Sequence, residues 1–270
     1  MFTGVYARWH TTRSNETGVI MTITYIFHSG FALELEEAIL VFDFWKDPRH
    51  VMPLVLMKQK PIYVFASHFH EDHFNSEIFQ WKKQHGDVTY VLSKDIYKHR
   101  RADRSEGDVW LAKGGAWSDG RVDVRAMGST DSGVSWIVEV EGKRIFHAGD
   151  LNNWFAARDG DDLGEKNRNE GTKTLGIDPE AHGKRYLGEL KDILKVTRSF
   201  DVVMFPIDAR LGGEYMRGAS QLLERFDVRW FVPMHFTACG PQSAWQLASI
   251  AERHGATFWK ITTTGETIDV

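Results

Sequence analysis

The chain contains one cysteine, Cys239, among its 270 residues, so an intrachain disulfide is excluded. Scarce cysteine fits a reducing compartment, and we expect a cytoplasmic protein. No apolar run approaches the roughly 20 residues that a membrane-spanning helix requires. Met1–Ile20 mixes Arg, His, Thr, Asn and Glu and lacks the apolar centre of a signal peptide. We therefore expect no membrane partner.

Positive charge is also scarce, because 33 Lys and Arg stand against 37 Asp and Glu, a formal net charge of -4. A partner that is held mainly through its phosphates favours a basic protein face. No nucleic-acid partner is therefore expected, and a nuclease is the weaker alternative. A small-molecule substrate, which can be anionic, is compatible with this charge. A homo-oligomer stays open.

Strand and helix patterns occur in two blocks, each with strands followed by helices. Residues 1–20 show no clear period, and we predict that they form an N-terminal extension, for which a non-native start is one interpretation. An alternating, β-branched pattern begins at Met21, so residues 21–270 are predicted to form a single domain. Two sheets covered by helices on both outer faces, an α/β fold of the αββα four-layer sandwich type, account for this order.

The individual elements follow from period and turn residues. Strands are predicted at Phe31–Leu35, Ala38–Phe42, Tyr63–Ala66, Thr89–Leu92, Asp108–Ala112, Arg121–Ala126, Val134–Val140, Arg144–His147, Val202–Pro206, Trp230–Met234 and Phe258–Thr262. Helices are predicted at Asn75–Gln84, Lys184–Leu194, Ser220–Phe226 and Pro241–Arg253, and an exposed loop at Asp159–Gly183.

The strongest chemical signal is the segment Ser67–His73, which follows an apolar strand and precedes a helix. His68 and His70 are two residues apart on an extended segment, so their imidazoles point the same way. Asp72 and His73 lie on the following turn and aim at a neighbouring point. Imidazole nitrogen and carboxylate oxygen suit zinc, iron or manganese. This segment therefore predicts a metal site.

The pattern His-x-His-x-Asp-His after a buried strand resembles the signature of the metallo-β-lactamase superfamily. Phe146–Asp150 resembles the later turn that supplies a bridging aspartate, and Val232–Phe236 resembles the strand end that supplies the last histidine. The opening hairpin, Thr22–Glu34, and the segment Leu40–Asp43 resemble the subgroup that includes L-ascorbate 6-phosphate lactonase. The resemblance covers residues 21 to about 262 in the same order.

The resemblance implies one or two divalent ions, with zinc expected first and manganese or iron as alternatives. His68 and His70 would help to bind the first ion, and Asp72, His73 and His235 would bind the second. Asp150 would bridge the two. Asp72 would also act catalytically, by orienting or deprotonating the attacking water.

One departure from the family pattern concerns the first ion. The family places a third histidine upstream of the bridging aspartate, but no histidine occurs between His99 and His147. Asp131 is the expected replacement, with Ser129 holding a water or His28 reaching in from the first hairpin as alternatives. An empty or weak first site is the remaining possibility.

Other residues are predicted to surround the metal site. Asp43 is expected to hold a ligand histidine or the motif loop through a hydrogen bond, and His147 to lie in the core or behind the ligands. Arg210 is the expected anchor for an anionic substrate, and Trp154 is expected at the rim. The histidines that lie outside the motifs are interpreted as surface residues: His10, His50, His85, His99, His182 and His254.

The sequence thus predicts a metal-dependent hydrolase that uses metal-bound hydroxide on a small ester, lactone or phosphodiester. The alternative from a different class is a metal-binding sensor or a catalytically weakened relative, because the first site lacks a histidine. Fold-level resemblance does not select the substrate.

Overall fold

The structure is a computed structural model that describes residues 21–154, 178–236 and 239–270. The predicted N-terminal extension and residues 159–177 of the predicted loop lie outside these ranges. The helices are α1 (Val51–Leu56), α2 (Trp81–Gln84), α3 (Lys94–Lys98), α4 (Pro179–Leu194), α5 (Arg217–Leu223) and α6 (Ala248–Arg253), with 3₁₀ turns at Ser76–Gln80, Ala209–Leu211 and Pro241–Leu247. None of these helices is long and apolar enough to cross a membrane.

Two seven-stranded sheets form the centre of the fold. The first contains β1 (Thr22–Phe27), β2 (Gly30–Glu34), β3 (Ile39–Phe42), β4 (Ile62–Ala66), β5 (Val88–Ser93), β6 (Val109–Leu111) and β14 (Thr267–Asp269), in the order β14-β1-β2-β3-β4-β5-β6. The second contains β7 (Ala116–Ser118), β8 (Val122–Met127), β9 (Ser135–Val140), β10 (Lys143–His147), β11 (Ser199–Pro206), β12 (Asp227–Met234) and β13 (Thr257–Phe258), in the order β13-β12-β11-β10-β9-β8-β7.

Alternate residues of the first sheet are buried on opposite faces. Leu40 and Phe42 of β3 pack in the large core that also contains the second sheet and α4. Ile39 and Val41 of the same strand pack in a separate core with α1, α2 and α3. Because side chains alternate along a strand, a sheet that is buried on both faces must be covered by two layers. The predicted αββα sandwich is confirmed.

Several element boundaries differ from the predictions. The predicted loop extends to Gly183, but α4 begins at Pro179, where Asp178 caps the helix by accepting a hydrogen bond from the Glu180 amide. A carboxylate cap followed by proline is a strong helix start. The last predicted strand is short, since β13 ends at Phe258.

The parallel halves of the two sheets determine where chemistry can occur. Strands β3 to β6 are parallel in the first sheet, and β10 to β13 are parallel in the second. The carboxyl ends of parallel strands lie at one edge of a sheet, where ligands bind in open α/β sheets. The segments after β3, β4, β10, β11 and β12 all carry histidine or aspartate residues.

Candidate metal centre

Eight histidine and aspartate side chains converge where the ends of the two sheets meet. They form two groups, within each of which one ligand atom per residue lies within 4.8 Å of the others. The first group is His68, His70, Asp131 and Asp150, and the second is His28, Asp72, His73 and His235. All six predicted ligands, together with Asp131 and His28, therefore lie together.

The first group has the spacing of a metal coordination shell. His68 Nε2 lies 3.0 Å from His70 Nδ1 and 3.4 Å from Asp150 Oδ2. Asp131 Oδ2 lies 3.7 Å from His70 Nδ1. Ligands about 2.1 Å from a tetrahedral ion are about 3.4 Å from one another. The structure thus places the Asp131 carboxylate in the first group, beside His70.

The second group has similar spacing and contains three imidazoles. Asp72 Oδ2 lies 3.3 Å from His28 Nε2, and the His28 ring lies 4.2 Å from the His235 ring. His28 therefore belongs with the second group rather than the first. Burial lowers the pKa of His28 to about 4, so the ring is neutral at pH 7. A neutral imidazole is the form that binds a metal.

Asp150 connects the two groups through its separate carboxylate oxygens. Oδ2 faces His68, whereas Oδ1 lies 3.1 Å from His73 Nε2 and 3.5 Å from His235 Nε2. Asp150 Oδ1 and His73 Nε2 are both buried and, apart from their contact with each other, have no hydrogen-bond partner within the described residues. Two buried polar atoms with so few partners fit a cation bound between them. The donor set therefore fits two divalent ions with Asp150 between them.

Asp43 orients one histidine of each group through hydrogen bonds. Its carboxylate accepts hydrogen bonds from the Ser67 amide at 2.7 Å and from the Ser67 hydroxyl at 2.6 Å. It also lies 2.7 Å from His73 Nδ1. The Ser67 hydroxyl donates to Asp43, so it accepts a hydrogen bond from His68 Nδ1, 2.9 Å away. Both histidines therefore donate from Nδ1 to these partners and face the centre with Nε2.

The buried charges of this cluster balance one another. Burial alone would lower the pKa of His73, but the Asp150 and Asp43 carboxylates raise it well above its usual value. Burial alone would raise the pKa of Asp150, but His73 and His68 hold it well below its usual range. A metal at the second group would therefore have to displace a proton from His73, and its affinity would fall as pH falls.

His235 is oriented by Asp208, which follows β11. Asp208 Oδ2 lies 3.1 Å from His235 Nδ1, which leaves Nε2 facing Asp150. Arg210, the predicted substrate anchor, is itself engaged by Asp208 through Nε at 2.8 Å and through Nη2. About half of the Arg210 side chain is exposed, but its charge is largely offset by this pair. Its role as an anchor stays a prediction.

Three site residues occupy the left-handed backbone region, where most residues are strained. They are His28 with φ 57°, Asp43 with φ 41° and His235 with φ 67°. The His28 amide donates to the Tyr25 hydroxyl at 2.9 Å, and the His235 amide donates to the His28 carbonyl at 3.1 Å. A residue other than glycine keeps this strained backbone conformation only where surrounding contacts hold it there, and such residues concentrate at functional sites.

Trp154 contacts the second group, whereas His147 is buried outside both groups. Trp154 Nε1 donates to the Asp150 carbonyl at 2.9 Å, and its ring lies 5.2 Å from the His235 ring. Its side chain is half-buried beside the second group. His147 is fully buried, with Nε2 2.9 Å from the Ser29 carbonyl. It therefore fastens the first hairpin to β10 and does not point toward either group.

Three contacts fix the loop that carries Asp131. The Thr130 hydroxyl donates to the Asn152 carbonyl at 2.6 Å, two residues after the bridging aspartate. Arg185 of α4 donates from Nη2 to the Ser129 carbonyl at 3.2 Å. Gly133 lies so close to the motif that an added Cβ would stand 2.0 Å from the Ser67 carbonyl oxygen and 2.5 Å from His68 Cβ. This packing fixes Asp131 beside His70.

Gly133→Ala is expected to disrupt the first group. Gly133 has φ +63°, as well as the close approach to Ser67 and His68. Gly120→Ala is the matched control, because Gly120 has φ +89° and open space around it. The control should cost about 1 kcal/mol of unfolding free energy for the backbone strain alone. Gly133→Ala should cost at least about 2 kcal/mol more, measured by urea denaturation. Equal losses in the two variants would contradict the packing described here.

Known proteins share this architecture. No protein-family model matches the chain. A UPF0173 metal-dependent hydrolase of Korarchaeum cryptofilum is 28% identical over 226 residues, which are 80% of this chain and 83% of that protein. Igni18, a metallo hydrolase from Ignicoccus hospitalis, superposes with a TM-score of 0.61 at 17% identity, covering 93% of this chain and 98% of that one.

A third similarity identifies the architecture. The metallo-β-lactamase fold protein YhfI from Bacillus subtilis superposes with a TM-score of 0.56 at 10% identity, covering 93% of this chain and all of that one (100%). The fold is that of the metallo-β-lactamases. At these identities the structural similarities establish the fold alone. The two donor groups at the sheet ends of this metallo-β-lactamase fold carry the argument about chemistry.

Proposed function

We propose that this chain is a metal-dependent hydrolase that acts on a small ester, lactone or phosphodiester. The observation that carries the proposal is the pair of donor groups joined by the two oxygens of Asp150. The name of the Korarchaeum cryptofilum relative, a metal-dependent hydrolase, supports it. When bound, divalent ions supply a water of lowered pKa as the nucleophile and polarise the oxygen of the bond that is attacked.

The residues of the chain prepare the site for this chemistry. Asp43 and Asp208 fix which nitrogen of each ligand histidine faces the centre, so the site needs little rearrangement when ions bind. Asp72 is partly exposed, with 38% of its side chain open to solvent, and it lies at the edge of the second group. It is therefore placed to orient the attacking water or to accept its proton.

Zinc, manganese and iron all remain compatible with these donors. The second group offers three imidazoles and one carboxylate, a set that suits zinc. The first offers two imidazoles and two carboxylates, counting Asp150, a set with more hard oxygen. We also propose that the chain is related to the subgroup that includes L-ascorbate 6-phosphate lactonase, which its first hairpin resembles. The proposed substrate is a small molecule, and the proposed location is the cytoplasm.

A metal-binding sensor is the second candidate, and one observation favours it. The first group is open, because 39% of the His70 side chain and 50% of the Asp131 side chain are exposed. A first group with two exposed members would bind its ion weakly, which leaves one tightly bound ion at the second group. One tightly bound ion suits a metal sensor as well as a catalyst. The two candidates differ in whether the metal-loaded protein turns over a substrate.

The test combines metal analysis with a panel of chromogenic substrates. Protein purified without chelators should contain divalent metal and should hydrolyse at least one of p-nitrophenyl acetate, a thio-γ-butyrolactone and bis(p-nitrophenyl) phosphate. Chelation should abolish that turnover, and the restored ion should recover it. Asp150→Ala serves as the control for contaminating activity. Bound metal without turnover on any substrate would favour the sensor, and absence of metal would reject both candidates.

A further inference from the structure

His147 is a fully buried histidine that belongs to neither donor group. Its ring lies parallel to the Phe42 ring, with centroids 5.1 Å apart and an interplanar angle of 4°. A phenylalanine would make this stacking contact as well. Because burying a polar ring costs free energy unless its nitrogens are hydrogen-bonded, the partners of the two nitrogens show what a histidine adds at this position.

Both ring nitrogens of His147 are hydrogen-bonded to backbone groups beside metal-site residues. Nε2 lies 2.9 Å from the carbonyl oxygen of Ser29, the residue after His28. The amide of Gly149, the residue before Asp150, donates to Nδ1 at 3.2 Å. One side chain thus connects the segment that carries a member of the second group to the turn that carries the aspartate between the groups.

These two partners determine which nitrogen of His147 carries the proton. Nδ1 accepts from the Gly149 amide, so Nε2 carries the ring proton and donates it to the hydrogen bond with the Ser29 carbonyl. Nδ1 also lies 3.9 Å from Asp43 Oδ2, which is too far for a hydrogen bond. A neutral imidazole offers one donor and one acceptor on the same rigid ring, and His147 uses both.

The link through His147 crosses from one sheet to the other. His147 ends β10 in the second sheet, whereas Ser29 lies in the turn between β1 and β2 of the first. His28, in the same turn, has φ 57°, a conformation that persists only where surrounding contacts hold it. The hydrogen bond from His147 to Ser29 is one such contact, and the bond from the His235 amide to the His28 carbonyl is another.

We infer that His147 is a positioning residue of the metal centre, because its two hydrogen bonds fix the His28 turn relative to the Asp150 turn. The inference goes beyond the proposed reaction, since it concerns the binding of ions to the donor groups. His147 acts on the backbone beside two site residues that come from different sheets. Loss of an outer partner of a metal site typically costs about 10–100-fold in metal affinity.

Three variants separate the two hydrogen bonds of His147 from its packing. His147→Phe keeps an aromatic ring against Phe42 and removes both hydrogen bonds. His147→Asn places an amide oxygen near the position of Nδ1, so it keeps an acceptor for the Gly149 amide but does not reach Ser29. His147→Gln places an amide nitrogen near the position of Nε2, so it keeps a donor for Ser29 and loses the acceptor for Gly149.

Tyr90→Phe is the matched control for the loss of a buried hydrogen bond. The Tyr90 hydroxyl donates to the Ile78 carbonyl at 2.6 Å, in the core that α1, α2 and α3 cover. After complete metal removal, zinc and manganese are titrated into each protein by calorimetry, at one pH and well below every melting midpoint. Melting curves of the metal-free proteins establish that each variant is folded.

His147→Phe should weaken the tighter binding event, which we assign to the second group with its three imidazoles, by about 10–100-fold. It should weaken the other event less, because His28 belongs to the second group alone, whereas Asp150 faces both. His147→Asn should weaken the tighter event alone. His147→Gln should weaken both events, and the tighter one less than His147→Phe does. Tyr90→Phe should bind both ions like the parent.

Parental affinities in folded His147→Phe would overturn the inference, because His147 would then only fill the core. The same pattern of losses in His147→Asn and His147→Gln would also overturn it, since general loosening rather than two separate hydrogen bonds would be the cause. A loss of similar size in Tyr90→Phe has the same consequence. If His147→Phe does not fold, the comparison of the Asn and Gln variants decides alone.

The titrations require no turnover, so this inference and the proposed function can fail separately. A protein that binds its ions in the predicted His147-dependent way, yet hydrolyses nothing, retains the positioning role and loses the hydrolase. A protein that hydrolyses a test substrate and shows parental affinities in His147→Phe retains the proposed function and loses this inference. In a parent that binds a single ion, the prediction for the tighter event applies to that ion.

Discussion

Asp72→Ala is expected to reduce hydrolysis by at least about 100-fold, because a general base contributes roughly 10²–10⁴-fold. Asp72 Oδ2 lies 3.3 Å from His28 Nε2. Burial alone would raise the pKa of Asp72, but His28 and His73 hold that pKa below its usual range. The carboxylate is therefore ionised at neutral pH and can accept a hydrogen bond from the attacking water. Initial rates on whichever substrate of the panel is turned over provide the measurement.

Glu71→Ala is the matched control for Asp72→Ala. Glu71 is the adjacent acid, is exposed, and belongs to neither donor group. It should retain parental rates. The melting temperature of Asp72→Ala should stay within a few degrees of the parent, since Asp72 is only half-buried. Retention of more than about a tenth of the activity would contradict a role as general base.

Metal analysis of the Asp72 variants separates the two roles of the carboxylate. If Asp72 mainly orients or deprotonates water, Asp72→Asn should keep both ions and lose activity, because an amide cannot accept that proton. If Asp72 is mainly a ligand, Asp72→Ala should lose metal from the second group in parallel with its rate. Full activity with full metal content in Asp72→Asn would remove Asp72 from the chemistry altogether.

The part of the site that the sequence predicted best is the part that is contiguous in the chain. His68, His70, Asp72 and His73 are placed by one strand and one turn, so their relative positions follow from local geometry. The four-layer sandwich was likewise predictable, because the period and order of the strands determine how many faces must be covered. Neither conclusion requires knowledge of long-range contacts.

The part that the sequence could not determine depends on long-range packing. His28 reaches the second group because the turn between β1 and β2 holds it at φ 57° and its carbonyl accepts from the His235 amide. Nothing local to His28 indicates which group it joins. Asp208 was missed as the partner of His235 for the same reason, since 27 residues separate the two. Short α1 and α3 were missed because helices of five or six residues carry little periodicity.

Asp131→Ala and His28→Ala are expected to weaken different metal-binding events. After complete metal removal, titration of the parent should show two events, the tighter at the second group. That group has three imidazoles, and His28, His73 and His235 are all buried. Loss of an outer partner of a ligand costs about 10–100-fold in metal affinity, and loss of a ligand should cost at least as much. Asp131→Ala should thus weaken the weaker event and leave the tighter unchanged, and His28→Ala should do the reverse.

Asp123→Ala controls for the loss of a negative charge, because Asp123 is an exposed acid on β8 outside both groups. It should leave both events unchanged. Asp131→His is the informative gain-of-function variant, since it gives the first group a third imidazole. Imidazole suits zinc better than a carboxylate does, whereas hard oxygen donors suit manganese and iron. Asp131→His should therefore raise the zinc affinity of the weaker event relative to its manganese affinity.

The pattern of the two titrations decides between one ion and two. Two unchanged events in Asp131→Ala would show that Asp131 is not a ligand, despite the 3.7 Å between its Oδ2 and His70 Nδ1. An unchanged tight event in His28→Ala would make His28 a neighbour of the ion rather than a donor. A single event in the parent would mean that Asp150 does not bridge, although its two oxygens face different groups. The one ion would then be bound where His73, His235 and Asp72 converge, and the proposed reaction would have to proceed with that ion alone.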